Sequence, residues 1–414
     1  MQHLIIAKNT FYQALARIGT SFIGFLITIV IARTFGVLGY GDFTKVTSYV
    51  AMFYLIVDFG LNAIYLQYEK PNFKNLLYLR LLISFFVFVF LNIIALAFPY
   101  NPVLGSGFSQ ALRLGILVFS LGIFAQSIIL STAAIFQKSI NYFSYMVGLV
   151  LGSVVSLAAV LIFAFLNYSI FFIFIALVIG SITSAIILLK LAKQKILPLF
   201  LDLKFAKDIL IKSAPIGAML IFNLVYFRAD IILLSLLSST TSVGIYGLSY
   251  KFFDFLIALP LFLSNAVYPF LIQAKGNNNK FFSVTKKYFF VFLLSSIVII
   301  IPFWFVSPLF GLIKEDFVNS IIPFRILLIS LPFFFTTSFL QWVLITLGKQ
   351  KYLMLVYLFS TILNIFLNLI LIPQFSYIAS AWITVLSEGL VFVLLAAKIF
   401  SVKILLEKGK ENYE

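Results

Sequence analysis

Residues 227–254 read FRADIILLSLLSSTTSVGIYGLSYKFFD, and apolar sequence lies on both sides of them. Only the polar turn at 238–242 interrupts the stretch, yet it carries Arg228, Asp230, Lys251 and Asp254. A charge near the middle of a bilayer costs roughly 2.5–3.5 kcal/mol on insertion scales, so such groups face a protein interior or a water-filled cavity. Two cations and two anions in otherwise greasy helices therefore predict a polar path through a membrane protein. The blander alternative is two buried structural pairs, Arg228 with Asp230 and Lys251 with Asp254. Positions 251 and 254 share a helix face at i, i+3, whereas 228 and 230 point apart.

Composition points the same way. The chain has 414 residues, 63% of them hydrophobic and 10% charged, against about 25% charged in a soluble domain. That much apolar surface cannot fit inside a soluble core, so the solvent is lipid. There is no Cys, which excludes disulfides, thiol chemistry and Cys-based metal sites. The single His, His3, stands at the N-terminus, which removes His-based catalysis and zinc sites. No metal or organic cofactor is expected. A net charge of +16 could suggest nucleic acid, but its distribution fits anionic lipid headgroups and membrane orientation instead. The first apolar run is too long for a signal h-region, contains Arg17 and ends at Arg33 without a small-x-small site, so no cleavable signal is expected.

A spanning helix needs about 20 apolar residues. Twelve segments qualify: 10–32, 43–66, 76–98, 112–136, 142–166, 169–191, 209–237, 243–272, 288–310, 321–347, 352–372 and 377–399. Residues 166–168 and 373–375 read as bare turns, and 101–109 and 311–320 as the only sizeable outer loops. With the N-terminus inside, 21 of the 29 basic residues fall on the inner side, Arg80 among them, and 5 on the outer; Arg17, Arg228 and Lys251 lie within segments. This skew puts both termini in the cytoplasm.

The expected fold is an all-α polytopic membrane protein, with two parallel six-helix bundles around a central cavity. The bundles are 1–192 and 209–400, joined by a basic cytoplasmic linker at 193–208 and followed by a cytoplasmic tail at 401–414. An internal repeat supports this division. At an offset of 203 residues, Gly41 matches Gly244, and Asn62-Ala63-Ile64-Tyr65 matches Asn265-Ala266-Val267-Tyr268. Halves with an even number of helices are parallel repeats, which suits alternating access around a site at their interface. Pro215, Pro260, Pro269, Pro302 and Pro332 mark expected kinks, and Gly148-x-x-x-Gly152 marks close helix packing.

Nothing in the sequence looks enzymatic: it has no Gly-rich phosphate loop, no HExxH and no nucleophile elbow. The intramembrane ionisable residues are the candidate site. Arg17 lies two turns into segment 1, and Asp58 late in segment 2. Arg228 and Asp230 lie in segment 7, Lys251 and Asp254 in segment 8, and Glu388 in segment 12. Tyr246, Tyr250 and Asp254 share a stripe beside Lys251. Cations bind phosphate oxygens and aromatic faces pack on sugar rings, so Tyr with Lys or Arg suits a pyrophosphate-linked sugar. Tyr246, near the expected outer interface, reads better as an ordinary membrane aromatic.

Two stretches carry a family resemblance. ARTFGVLGYGDF at 32–43, followed by DFGL at 58–61, resembles the N-terminal signature of polysaccharide-exporter flippases. FRADI at 227–231, with VGIY at 243–246 and Tyr250-Lys251, looks like their seventh-to-eighth helix signature. These are the O-antigen and capsule repeat-unit (Wzx-type) flippases of the multidrug/oligosaccharidyl-lipid/polysaccharide superfamily, which is MATE-like. The resemblance implies export of an undecaprenyl-diphosphate-linked oligosaccharide across a bacterial plasma membrane. It implies membrane lipids, and other polysaccharide-assembly proteins, as partners, and a cationic cavity for which Arg17, Arg228 and Lys251 are the candidates, with Lys45 and Arg33 at the outer mouth. Asp58, Asp230, Asp254 and Glu388 are the acids open to pairing or to proton or sodium coupling. Two other functions stand beside this one: a proton- or sodium-coupled drug antiporter of the same fold, and a membrane glycan polymerase or transferase.

Overall fold

The computed structural model describes residues 2–69, 72–194 and 201–411, without the side chains of 2–7, 223, 224 and 406–411. Lys70, Lys195 and Pro198 of the basic inner stretches, the side chains of His3, Lys408 and Lys410, and tail residues 412–414 lie outside the described residues. What is described is helical: α1 (Gln2–Asp58), α2 (Leu61–Tyr65), α3 (Phe73–Ala97), α4 (Gln110–Ser120), α5 (Gly122–Lys138), α6 (Tyr142–Phe165), α7 (Ile170–Leu191), α8 (Leu203–Leu237), α9 (Thr240–Ile257), α10 (Leu259–Ala274), α11 (Asn278–Val306), α12 (Phe310–Ile313), α13 (Ile321–Thr346) and α14 (Gln350–Glu411).

Nine of the described helical stretches are long and apolar enough to cross a membrane. Two are too long to cross only once. Lys8–Tyr65, at 58 residues, would extend roughly 87 Å at 1.5 Å per residue, against a hydrocarbon core of about 30 Å. Its helical geometry breaks at Gly36 (φ 66°, ψ −169°). Gln350–Leu405 breaks in the same way at Ser376 (φ 51°, ψ −135°). The eighth helix is bent by 50° between Phe222 and Val225. Counting each broken stretch as two crossings and α8 as one gives twelve, as the segment pattern predicts. The turn at 166–168 is present, with Asn167 at φ 56°. Residues 373–375, expected as a bare turn, are instead helical, and the break falls one residue later, at Ser376. Residues 311–320, expected as a loop, are mostly short helical turns, including a 3₁₀ turn at Glu315–Ser320.

The chain forms two compact units, Met1–Arg228 and Ala229–Glu414. The boundary between these units lies inside α8. The reason is packing: Ala206 and Ile209 of α8 share a core with Leu61, Ile64 and Tyr65 of α2, Leu76 and Leu79 of α3, and Ala134 of α5. Lipid tails are as apolar as leucine, so helices in a membrane associate through close packing and hydrogen bonds, not through hydrophobic burial. In the first unit α6 and α7 meet along Gly152 and Gly180, where a Cβ on Gly152 would stand 2.7 Å from the Gly180 carbonyl oxygen. The expected small-residue packing site is therefore real. In the second unit α9 and α13 form the centre, with Phe253 edge-on to Phe334 at 5.5 Å and Ser249 donating to the Ser320 carbonyl at 2.8 Å. By contrast, α11 exposes Phe290, Leu294, Val298, Ile301 and Phe305, which is the surface a helix presents to lipid.

Candidate functional site

In the second unit the buried polar side chains form a seam along the later part of α14. Asp230 of α8 is 5% exposed, and its carboxylate accepts from the Tyr246 hydroxyl at 2.5 Å and from the Ile231 backbone N–H at 2.7 Å. Tyr246 of α9 is fully buried, and its oxygen also lies 3.5 Å from the Thr384 hydroxyl. This corrects the expectation of an interface aromatic: the phenol is turned inward and bonded to a carboxylate. At one end of the seam the hydroxyls of Ser238, Ser242 and Ser376 join at 2.7–2.8 Å, which fixes the break in α14. Ser380 donates to Asn368 at 3.0 Å, Asn368 to Asn364 at 3.0 Å, and Asn364 to Ser387 at 3.1 Å. Glu388, 2% exposed, accepts from Thr337 of α13 at 2.5 Å. A buried polar group in lipid is costly without a partner, and the side chains of this ladder supply partners to one another.

Four further candidates lie on α8 and α9. Lys251 is exposed and Asp254 half-buried on α9, whereas Tyr250 is 2% exposed and packs its ring 5.5 Å from that of Tyr246. Tyr250 and Lys251 thus face different ways. Arg228 is half-buried on α8.

In the first unit Arg17 and Arg33 are exposed on α1. Lys45 is fully buried, and its ammonium donates to the carbonyls of Gly105 at 2.7 Å and Gly107 at 3.3 Å. The cation placed at the outer mouth therefore holds the 101–109 loop in this conformation. Asp58 lies 3.7 Å from Arg80 of α3, whose other amino group donates to the Ser131 hydroxyl of α5 at 3.2 Å. Arg80 is fully buried. Sequence reasoning places it among the inner-surface charges, although segment 3 opens four residues before it, which is the signal that could have found it. The paired amides Asn364 and Asn368, one turn apart on segment 11, escape sequence reasoning in the same way. At the end of this unit Tyr68 donates a short hydrogen bond to Asp208, which also pairs with Lys212 at 2.7 Å. Desolvation, reinforced by that hydrogen bond, pushes the Tyr68 phenol up to about 12.

A polytopic helical bundle with charged and amide side chains gathered inside its helix packing defines the class: a multi-pass helical membrane protein. The chain belongs to the polysaccharide biosynthesis protein family, whose model matches residues 6–275. The MatE family model matches residues 215–370. No curated protein sequence matches the chain significantly. Among solved structures, the lipid II flippase MurJ in its inward closed conformation superposes with a TM-score of 0.76 at 16% identity, covering 94% of this chain and 87% of that one. An inward-facing multidrug resistance MATE family transporter of the MOP superfamily gives 0.71 at 14% identity, covering 94% and 95%. The MATE multidrug transporter DinF-BH gives 0.63 at 18% identity, covering 96% and 95%. At these identities the structures establish the fold alone, one shared with the flippase and the MATE transporters.

Proposed function

We propose that this protein is a flippase. It moves an undecaprenyl-diphosphate-linked oligosaccharide repeat unit from the inner to the outer leaflet of a bacterial plasma membrane by alternating access, in the synthesis of a surface polysaccharide such as O-antigen or capsule. The observation that carries this reading is the polysaccharide biosynthesis family match over 6–275. The likeness of fold to a lipid II flippase is consistent with it. A diphosphate headgroup needs cations that it can reach. Arg17 and Lys251 are exposed on their helices, so we assign them to the diphosphate, with Arg228 as a third. Lys45 and Tyr250, buried here, take supporting roles. Glu388, Asp230, Asp254 and Asp58 are the acids available for proton or sodium coupling.

The test is a strain lacking the protein. Its lipid extract should hold a polyprenyl-diphosphate oligosaccharide inaccessible from outside, surface polysaccharide should be lost, and re-expression should reverse both. Expressing Lys251→Ala in that strain should impair transport while the amount of folded protein stays unchanged; full translocation by this variant would sink the assignment of Lys251. A second reading is favoured by the MatE match over 215–370: an ion-coupled drug antiporter. Unchanged lipid intermediates, together with drug efflux that depends on Asp58, Asp254 or Glu388, would establish that function instead.

A further inference from the structure

Among the described residues of the first unit, five buried side-chain polar atoms have no hydrogen-bond partner, and three of them belong to Arg80 and Asn62. These three are Nε and Nη2 of Arg80 and Oδ1 of Asn62. Asn62 donates its amide N–H to the Leu130 carbonyl at 3.0 Å, and Arg80 donates to Ser131, the next residue of α5. One turn further along both helices the hydroxyls of Ser84 and Ser127 meet in a short hydrogen bond. A polar seam thus runs from the end of α1 between α3 and α5. The separation of 3.7 Å between Arg80 Nη2 and Asp58 Oδ1 is too long for a direct hydrogen bond, and one water can bridge such a gap. A guanidinium sealed in apolar packing is costly unless a charge opposes it, and Asp58 is the carboxylate that does so.

Asp58 is also the last residue before a strained turn. Phe59 (φ 44°) and Gly60 (φ 69°) are both left-handed, and α2 starts immediately after them. This turn interlocks with α8 at Ile216 and Gly217: a Cβ on Gly60 would lie 2.4 Å from Ile216 Cγ2, and one on Gly217 would lie 2.5 Å from the Phe59 ring. A non-glycine left-handed residue such as Phe59 persists only where its surroundings hold it.

We propose that the Asp58–Arg80 pair is an electrostatic latch that holds the Phe59–Gly60 turn closed and so keeps α8 docked against it at Ile216 and Gly217. Arg80 acts here as a positioning residue. With Asp58 neutral the latch releases, the turn relaxes, and the Ile216 face of α8 opens to solvent. This goes beyond the flippase reading and is tested without any substrate.

The chain has no Cys, so Ile216→Cys in the full-length protein, reconstituted in nanodiscs, reports opening by its rate of maleimide labelling. Adding Asp58→Asn, a near-isosteric loss of charge, should speed labelling about tenfold, and Arg80→Gln should do the same, as expected when local opening becomes easier. Rates within twofold of the parent, in protein that remains monodisperse, would overturn the latch. If either variant fails to fold, hydrogen exchange on the unaltered chain decides. Amides of 60–66 and 206–216 should then exchange in step, whereas independent exchange, with the α8 segment about tenfold faster, would overturn the proposal.

Discussion

Asp230 and Tyr246 show what a single hydroxyl does in a membrane interior. The carboxylate is buried, and the phenol of Tyr246 donates to it at 2.5 Å. Tyr246→Phe keeps the ring in place and removes that donor. A hydrogen bond to a charged group contributes roughly 1.5–3 kcal/mol. We expect a lower melting temperature for Tyr246→Phe in detergent and no change for Tyr100→Phe, whose ring is exposed. This partnership was not legible in the sequence. The helical stripe of Tyr246, Tyr250 and Asp254 was visible, but periodicity says which residues share a face, not which helix that face meets. The same limit hid Arg80 and its pairing with Asp58: within its own segment it reads only as a cation near an inner helix end. Asp58 itself was legible, because a lone acid in an apolar run needs no partner to be noticed.

At the scale of helices, legibility followed length and small residues. Twelve crossings were countable because about 20 apolar residues are needed for each. Gly148-x-x-x-Gly152 announced a close contact. The structure makes it quantitative: a Cβ on Gly152 would fall 1.8 Å from the Ser184 hydroxyl oxygen and 2.7 Å from the Gly180 carbonyl oxygen. A serine can rotate away, but a helix backbone cannot. Gly152→Ala should therefore destabilise by about 1–3 kcal/mol, the usual cost of overpacking. Gly24→Ala is the control, since nothing lies within 4 Å of its added methyl, and removing a helical glycine gains about 0.5–1 kcal/mol. Thermal melts of the two variants should thus move in opposite directions. The break at Ser376 was misplaced by one residue because Pro373-Gln374 is the obvious punctuation. What fixes the real position is a hydroxyl cluster with Ser238 and Ser242, more than 130 residues away in sequence.

At the scale of the whole molecule, orientation is what every functional assignment rests on, and it comes from charge rather than from packing. The basic residues are concentrated in alternate loops, and the insertion bias of Lys and Arg places such loops inside. Taking Arg80 out of the inner group, now that it is known to be buried, removes one charge and leaves the skew intact. The expected topology puts the 101–109 loop outside and the α10–α11 connection, with Lys275, inside. The absence of Cys makes this directly measurable. Leu104→Cys, on an exposed loop residue, should react with a membrane-impermeant maleimide in spheroplasts. Gly276→Cys, which has open space around its added side chain, should react only after permeabilisation or in inverted vesicles. Reaction of the two positions from opposite sides to those expected would reverse the direction of transport assigned to the flippase. Reaction of both from the same side would mean an odd number of crossings is miscounted between residues 104 and 276, and the parallel relation of the halves, on which alternating access depends, would fail with it.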